Sequence, residues 1–223
     1  MDGINQEYVV EYIRGLCKQK DPFLLALEQI AEERFIPILE PETAALLEVL
    51  LSIHKPKRIL ELGTAIGYSA IRMAKAAPNA LITTVELRED FAAIARDNIE
   101  SQGYSDRIQV VVGDAIPSIQ ELNGPFDFVF IDAAKGHYQE YYEACMPLIL
   151  PGSILFSDNV LFRGTIAKPS LAVRRKRTIV HRMRSYLEMI TGDERVNTCV
   201  LPLGDGVAIS VLKGDIGERG EGE

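Results

Sequence analysis

Two aspartates and an asparagine close two apolar runs, FDFVFID (126–132) and GSILFSDN (152–159). If these runs are neighbouring parallel strands, their carboxyl ends bring Asp132, Asp158 and Asn159 together. Two carboxylates and an amide oxygen form a hard-oxygen set suited to Mg²⁺, which keeps positions open for water or substrate. A single strand-end aspartate is more often a helix cap. Two of them, with an asparagine and a facing lysine, favour the metal reading. The lysine is Lys135, expected at the start of the next helix, where a cation is disfavoured. Beside a divalent cation it could take a proton from a substrate hydroxyl. His137 reads as a partly exposed helix residue rather than a ligand, and His54 and His181 have no catalytic company.

A second constellation lies earlier. LELGTAIGYSA (60–70) follows an apolar run and opens a helix. Gly63 and Gly67 permit a tight turn and close approach to a ligand. Open α/β sheets bind ligands at this kind of strand end. The spacing is not the GxGxxG of dinucleotide binders, and a cofactor without a pyrophosphate needs no such cradle. Taken alone, the feature fits a glycine-softened turn equally well. Glu86 ends the second strand and is placed to accept both hydroxyls of a ribose. Asp114 and Ala115 end the third, where an adenine would lie; the Asp114 carboxylate and the Ala115 backbone could accept from its amino group. Asp114 equally reads as the N-cap of AIPSIQEL. On these residues alone, an NAD enzyme remains open.

The elements that must hold these residues alternate. Short apolar runs at 58–63, 81–87, 108–114, 126–132 and 152–159 are separated by helical stretches, which predicts a parallel sheet covered on both faces. VNTCVLPLG (196–204) and GVAISVLK (206–213) are joined by a turn too short for a parallel crossover, so they form an antiparallel hairpin. The first 55 residues read as helices: Ile4–Leu16 with Asn5 as a cap, one begun by Asp21-Pro22, and one begun by Glu40-Pro41. The 223 residues read as one α/β domain with a disordered Gly- and Glu-rich tail at 214–223. Nothing resembles a signal peptide or a membrane span, and Cys17, Cys145 and Cys199 read as reduced core thiols, so a cytoplasmic protein is expected.

The hairpin after a parallel sheet resembles class I S-adenosylmethionine methyltransferases, with a Rossmann-like, seven-stranded, mostly parallel sheet. LELGTAIGYSA, the strand-end VEL, FIDAAKGHY and FSDNVLFRG resemble the metal-dependent catechol and caffeoyl-CoA type O-methyltransferases, from about Leu39 to Lys213. The resemblance implies that Asp132, Asp158 and Asn159 hold Mg²⁺ and that Lys135 is the base. It implies that Glu61, Gly63, Thr64, Ser69, Glu86, Ala115 and Asp132 line the S-adenosylmethionine site, with Leu39 contributing backbone. Such relatives are typically homodimers joined through N-terminal helices.

The acceptor is read from two departures. The catechol enzymes place a glutamate shortly before the last hairpin turn; here Cys199 falls at that position, which puts simple catechols in doubt. The net charge is −8, yet Arg163, Lys168, Arg174, Arg175, Lys176, Arg177, Arg182 and Arg184 form an island of +8 without an acidic residue, leaving −16 elsewhere. An island beside the active site suits a polyanion. Phe162, Tyr186 and Tyr138 could stack on a base. Among relatives, the chain is most similar to the bacterial tRNA 5-hydroxyuridine methyltransferases. 5-Hydroxyuracil offers vicinal oxygens as a catechol does, and an anticodon-loop base can be splayed into a pocket. The expected acceptor is therefore wobble 5-hydroxyuridine of tRNA, bound in part by Arg163, Lys168 and Arg174–Arg177. The alternatives are a small phenolic acceptor, with the island holding coenzyme A phosphates, and a non-catalytic cofactor-binding adaptor.

Overall fold

The computed structural model describes residues 4–214. The tail expected to be disordered lies outside the described residues, apart from Gly214. Three helices lead the chain: α1 (Glu7–Leu16), α2 (Pro22–Arg34) and α3 (Pro41–His54). Asp21 caps α2 as expected, accepting from the Phe23 and Leu24 amides at 2.9 and 3.2 Å, with Pro22 in the first turn. Asn5 does not cap α1. The helix begins after Gln6, and the Asn5 amide donates instead to the Pro202 carbonyl. No residue of α1 is buried, whereas α2 and α3 bury Leu24, Leu27, Leu47 and Leu51.

The rest of the chain alternates: β1 (Arg58–Leu62), α4 (Tyr68–Ala76), β2 (Leu81–Glu86), α5 (Glu89–Ser101), β3 (Ile108–Val112), α6 (Ala115–Glu121), β4 (Phe126–Ile131), α7 (Tyr138–Cys145), β5 (Ile149–Ser157), α8 (Arg177–Gly192), β6 (Val196–Leu201) and β7 (Val207–Leu212). The strands form one sheet in the order β3-β2-β1-β4-β5-β7-β6. β1 to β5 pair in parallel; β7 runs antiparallel to both β5 and β6. The expected five parallel strands and terminal hairpin are thus the observed architecture.

The period of two along each strand divides the core. Ile59, Phe128, Phe130 and Phe156 face a cluster built with α2, α3 and α4. Leu60, Leu62, Val129, Ile131 and Leu155 face the opposite one, filled by Tyr138, Tyr142 and Cys145 of α7 and Tyr186 of α8. With both sheet faces covered, the strands are apolar at nearly every position, which is why they read as runs rather than alternations. Of the three cysteines, only Cys145 is a core thiol. Cys17 is half-buried and Cys199 is exposed, because β6 is the sheet edge and Cys199 points outward from it.

The strand order reverses direction between β1 and β4. This is the switch point at which open α/β sheets leave a crevice. Gly63 follows β1 and Asp132 follows β4, so both stand at its mouth.

Candidate active site

The turn after β1 is shaped by a carboxylate. Glu86, at the end of β2, accepts from the Thr64 and Ala65 amides through one oxygen (3.2 and 2.9 Å) and from the Arg88 amide through the other (2.9 Å). The backbone meets it by adopting positive φ at Gly63, Ala65 and Gly67 (+99, +46 and +82°). Gly63 is needed for a second reason: a Cβ there would lie 2.1 Å from the Asp132 carbonyl oxygen. Gly67 sits just before α4 and Ser69 in its first turn.

These residues border a cavity of about 670 Å³. Leu39, Gly63, Thr64, Ser69, Glu86, Asp114, Ala115 and Asp132 all line it, together with Lys135, His137 and Asn159. Glu61 does not. It is fully buried behind the turn, where the Ser69 and Thr84 hydroxyls donate to it. Burial lifts its pKa to about 7, against those two donors and with the charges of Asp132 and Glu86 adding to the rise. Asp114 caps α6, accepting from the Ile116 amide at 3.2 Å, while also lining the cavity, so both roles weighed for it are geometrically compatible. Sequence reasoning missed Ile38, Phe91 and Tyr141 on the cavity wall. Phe91 carries the Arg88 guanidinium 4.0 Å above its ring, and only the fold brings these apolar residues to the mouth.

At the other end of the cavity stand Asp132 and Asn159, while Asp158 is buried and does not itself line the cavity. Asp158 is 1% exposed, and one of its oxygens accepts from the Asn159 amide at 2.7 Å. Burial drives its pKa well up, and the neighbouring Asp132 charge adds to this. Asp132 is raised by burial as well, with Lys135 opposing. Asn159 follows in left-handed backbone (φ +56°), a conformation asparagine tolerates. Two buried carboxylates beside an amide oxygen suit a divalent cation, which would relieve their repulsion. Among the described residues, no three His, Cys, Asp or Glu side chains gather into a metal cage; the trio here is two carboxylates and an amide.

Lys135 lies in the loop before α7, not in the helix as expected, because α7 starts only at Tyr138. Its ammonium is 3.7 Å from Asp205 and 5.3 Å from the Phe162 ring centroid. Asp205 also accepts from the Arg163 amide, and the Val160 and Leu161 amides donate to the Gly206 and Asp205 carbonyls. The hairpin turn is therefore clasped to the loop after β5. The turn residue Asp205 thus meets Lys135, a contact that spacing along the chain does not report. Cys199, by contrast, pairs with Ile209 on the sheet edge and does not line the cavity.

The basic island leaves β5 through an irregular loop and enters α8. Arg163, Lys168, Arg174, Arg175 and Arg177 are exposed and Lys176 is half-buried; none lines the cavity. Two of the aromatic residues expected to stack on a base cannot. Tyr138 and Tyr186 are each 1% exposed and pack edge-on against one another at 5.5 Å. Their hydroxyls reach the Asp158 carbonyl and the Ser157 hydroxyl, so the core claims both rings. Phe162 is half-buried, with Lys176 5.0 Å from its centroid.

A doubly wound sheet with a glycine turn, a strand-end glutamate and an acidic cluster at its switch point defines a class of ligand-binding α/β enzymes. Comparison with known proteins narrows the class. The O-methyltransferase family profile matches residues 19–213. A catechol O-methyltransferase of Niastella koreensis is 33% identical over 219 residues, covering 93% of this chain and 97% of that protein. A caffeoyl-CoA O-methyltransferase of Petroselinum crispum is 31% identical over 174 residues, 73% and 71% of the two chains. The crystal structure of an O-methyltransferase from Bacillus cereus in complex with SAH superposes with a TM-score of 0.81 at 31% identity, covering 92% of this chain and 97% of that one. The chain belongs to the O-methyltransferase family.

Proposed function

We propose that this protein is an S-adenosylmethionine- and divalent-metal-dependent O-methyltransferase acting on a small acceptor with two vicinal oxygens, of the catechol or caffeoyl-CoA type. The observation that carries this reading is one continuous cavity with the Glu86 cradle at one end and Asp132, Lys135 and Asn159 at the other. SAH, the ligand of the Bacillus cereus relative, is what S-adenosylmethionine becomes on losing its methyl group.

In this reading Glu86 accepts the ribose hydroxyls, Asp114 and Ala115 meet the adenine, and Gly63 lets the chain approach the sulfonium end. Asp132, Asp158 and Asn159 would hold the cation, which would orient the two acceptor oxygens and favour the ionised hydroxyl. Lys135, once its ammonium has given a proton to solvent, would receive the hydroxyl proton at Nζ, and Asp205 at 3.7 Å would steady the ammonium so formed. Bound there, S-adenosylmethionine would supply the methyl group for transfer to that oxygen, the sulfur keeping the bonding pair as a neutral thioether. Positioning supplies most of the acceleration, up to about 7–11 kcal/mol for aligned reactants.

One observation favours a second acceptor, wobble 5-hydroxyuridine of tRNA, methylated to 5-methoxyuridine. It is the exposed, unmixed positive charge of Arg163–Arg177. The names of the relatives favour the small phenol. The test is to incubate the protein with labelled S-adenosylmethionine and Mg²⁺, offering a catechol, caffeoyl-CoA and tRNA bearing 5-hydroxyuridine in parallel. Chelator and Lys135→Ala controls run beside them. Label in a phenol, lost in both controls, is the expected outcome. Label in tRNA alone replaces the acceptor, and label in none defeats the enzymatic reading in favour of an adaptor.

A further inference from the structure

Helix α1 buries none of its residues, so packing alone does not hold it to the domain. Polar contacts fasten it at both ends. Asn5, just before it, donates to the Pro202 carbonyl. Arg14, in its last turn, spreads its guanidinium over the start of α3. Its Nε and one terminal nitrogen donate to the Glu42 carboxylate at 2.9 and 3.1 Å, and that same nitrogen lies 2.6 Å from Glu40. Glu42 is 5% exposed, so the fork grips a fixed partner and sets direction as well as attraction.

Both fastenings bear on one element, the turn 202–206 between β6 and β7. Pro202 opens that turn. Gly204 is seated against the start of α3: at its φ of +55°, a Cβ would lie 2.5 Å from the Thr43 hydroxyl oxygen and 3.7 Å from the Glu40 Cβ. Among the described residues, no hydrogen bond joins the turn to α3, and the buried Thr43 hydroxyl has no partner. Asp205 comes next in the turn, with its carboxylate 3.7 Å from the Lys135 ammonium. Its charge also reaches Glu40. Burial raises the Glu40 pKa, Arg14 opposes the rise, and the charges of Glu42 and Asp205 add to it. Glu40 and Asp205 therefore repel across the seam between α3 and the turn, and Arg14 is the cation that offsets Glu40. Without it, Glu40 would press the turn away from α3 and carry Asp205 from its place beside Lys135.

We propose that Arg14 is a positioning residue for methyl transfer: by pairing with Glu40 and Glu42 it makes α1 a strap over the turn 202–206, and the turn so held keeps Asp205 on Lys135. The bearing on catalysis rests on Lys135 being the base, as read above; the strap itself does not. A strap of this kind acts on the alignment of the reacting groups and leaves the cofactor cradle around Glu86 alone.

Two readouts test it on the whole protein at low ionic strength. Amide hydrogen exchange, followed by NMR without any acceptor, reports the turn, because the Val160, Leu161 and Arg163 amides donate to Gly206 and Asp205. In Arg14→Ala these amides should exchange about tenfold faster or more, as the turn opens locally. Turnover is measured with labelled S-adenosylmethionine and the acceptor that takes label in the parallel assay. It should fall about tenfold or more, since small misplacements of reacting groups cost up to about 10²-fold. Calorimetric S-adenosylmethionine affinity should hold. Adding Glu40→Gln to Arg14→Ala should restore most of both protection and turnover, because the uncompensated charge is then gone; a role in packing alone would not be rescued this way. If the buried Glu42, left unpaired, unfolds Arg14→Ala, the effect of Glu40→Gln is measured in an Arg14→Ala/Glu42→Gln background. Unchanged exchange at the three amides, or losses that Glu40→Gln does not repair, overturns the strap. Full turnover of Lys135→Ala shows separately that Lys135 is not the base, and overturns the catalytic half of the proposal with it.

Discussion

Glu61 offers a test of whether the buried half of the cofactor turn is understood. It is fully buried, and its pKa stands at about 7 against an ordinary 4.5. Below pH 4.5 the folded and unfolded chains both hold the proton, and the group leaves stability unchanged. Between 4.5 and 7 the unfolded chain releases it while the folded chain keeps it, so rising pH progressively favours unfolding. Above 7 both are ionised and the penalty is constant. The span from 4.5 to about 7, at 1.36 kcal/mol per tenfold change in proton affinity, makes that penalty about 3 kcal/mol. Glu61→Gln removes the ionisation and keeps the shape. The hydroxyls of Ser69 and Thr84 can rotate, one donating to the amide oxygen and the other accepting from the NH₂. The variant should therefore match the wild type near pH 4.5 and exceed it by about 3 kcal/mol at pH 8, the gap opening between those limits. Urea unfolding of both proteins across that range measures it. Comparing the two at each pH leaves Glu61 together with its coupling to Asp132, because the rest of the Asp132 and Asp158 titration is common to both. A gap that stays constant with pH would show that Glu61 ionises as in water, and would refute the burial argument.

Other perturbations separate the parts of the site. Lys135→Ala should lower turnover about 10²–10⁴-fold while calorimetric S-adenosylmethionine affinity holds, because its ammonium meets Asp205 and not the Glu86 cradle. Glu86→Gln should weaken S-adenosylmethionine binding about tenfold or more by calorimetry, since a charged acceptor facing hydroxyl donors contributes about 1.5–3 kcal/mol. Gly63→Ala should cost about 3 kcal/mol of stability in urea unfolding, because its Cβ meets backbone at 2.1 Å in a conformation alanine avoids. Full stability in that variant would mean β1 and β4 can part at their ends without loss.

The sequence was most legible where local chemistry and fold agree. Asp21-Pro22 sets a helix start through its own side chain and ring, so its reading needs no tertiary knowledge. The strands are legible because both faces of the sheet are covered. Gly63, Glu86, Asp114 and Asp132 are legible because strand ends converge at the switch point whatever the helices do. The misreadings share another cause. Asn5, Tyr138 and Tyr186 each have a chemistry that suits the role expected of them, but a distant partner claims it: the Pro202 carbonyl, the Asp158 carbonyl and the Ser157 hydroxyl. Spacing cannot report a partner 197 residues away. Asp205 was missed for the same reason, since its meeting with Lys135 exists only once β7 has laid the hairpin beside β5.

The acidic end of the cavity follows from that same convergence and carries its cost. Asp158 and Asp132 are raised by burial, and Glu61 behind the turn is raised with them. Each disfavours the folded state as it ionises, so the three carboxylates packed at the ends of β1, β4 and β5 do not add to stability. Their neighbours explain what they do instead. Glu61 receives Ser69 and Thr84 and so fixes the start of α4 against β2, while Asp132 presses its carbonyl on Gly63 and its side chain on the cavity. The turn that would face the cofactor and the aspartate that would face the cation are therefore one rigid contact. A substitution that loosens either end should be felt at the other, as the proposed methyl transfer, which depends on the alignment of its reactants, would require.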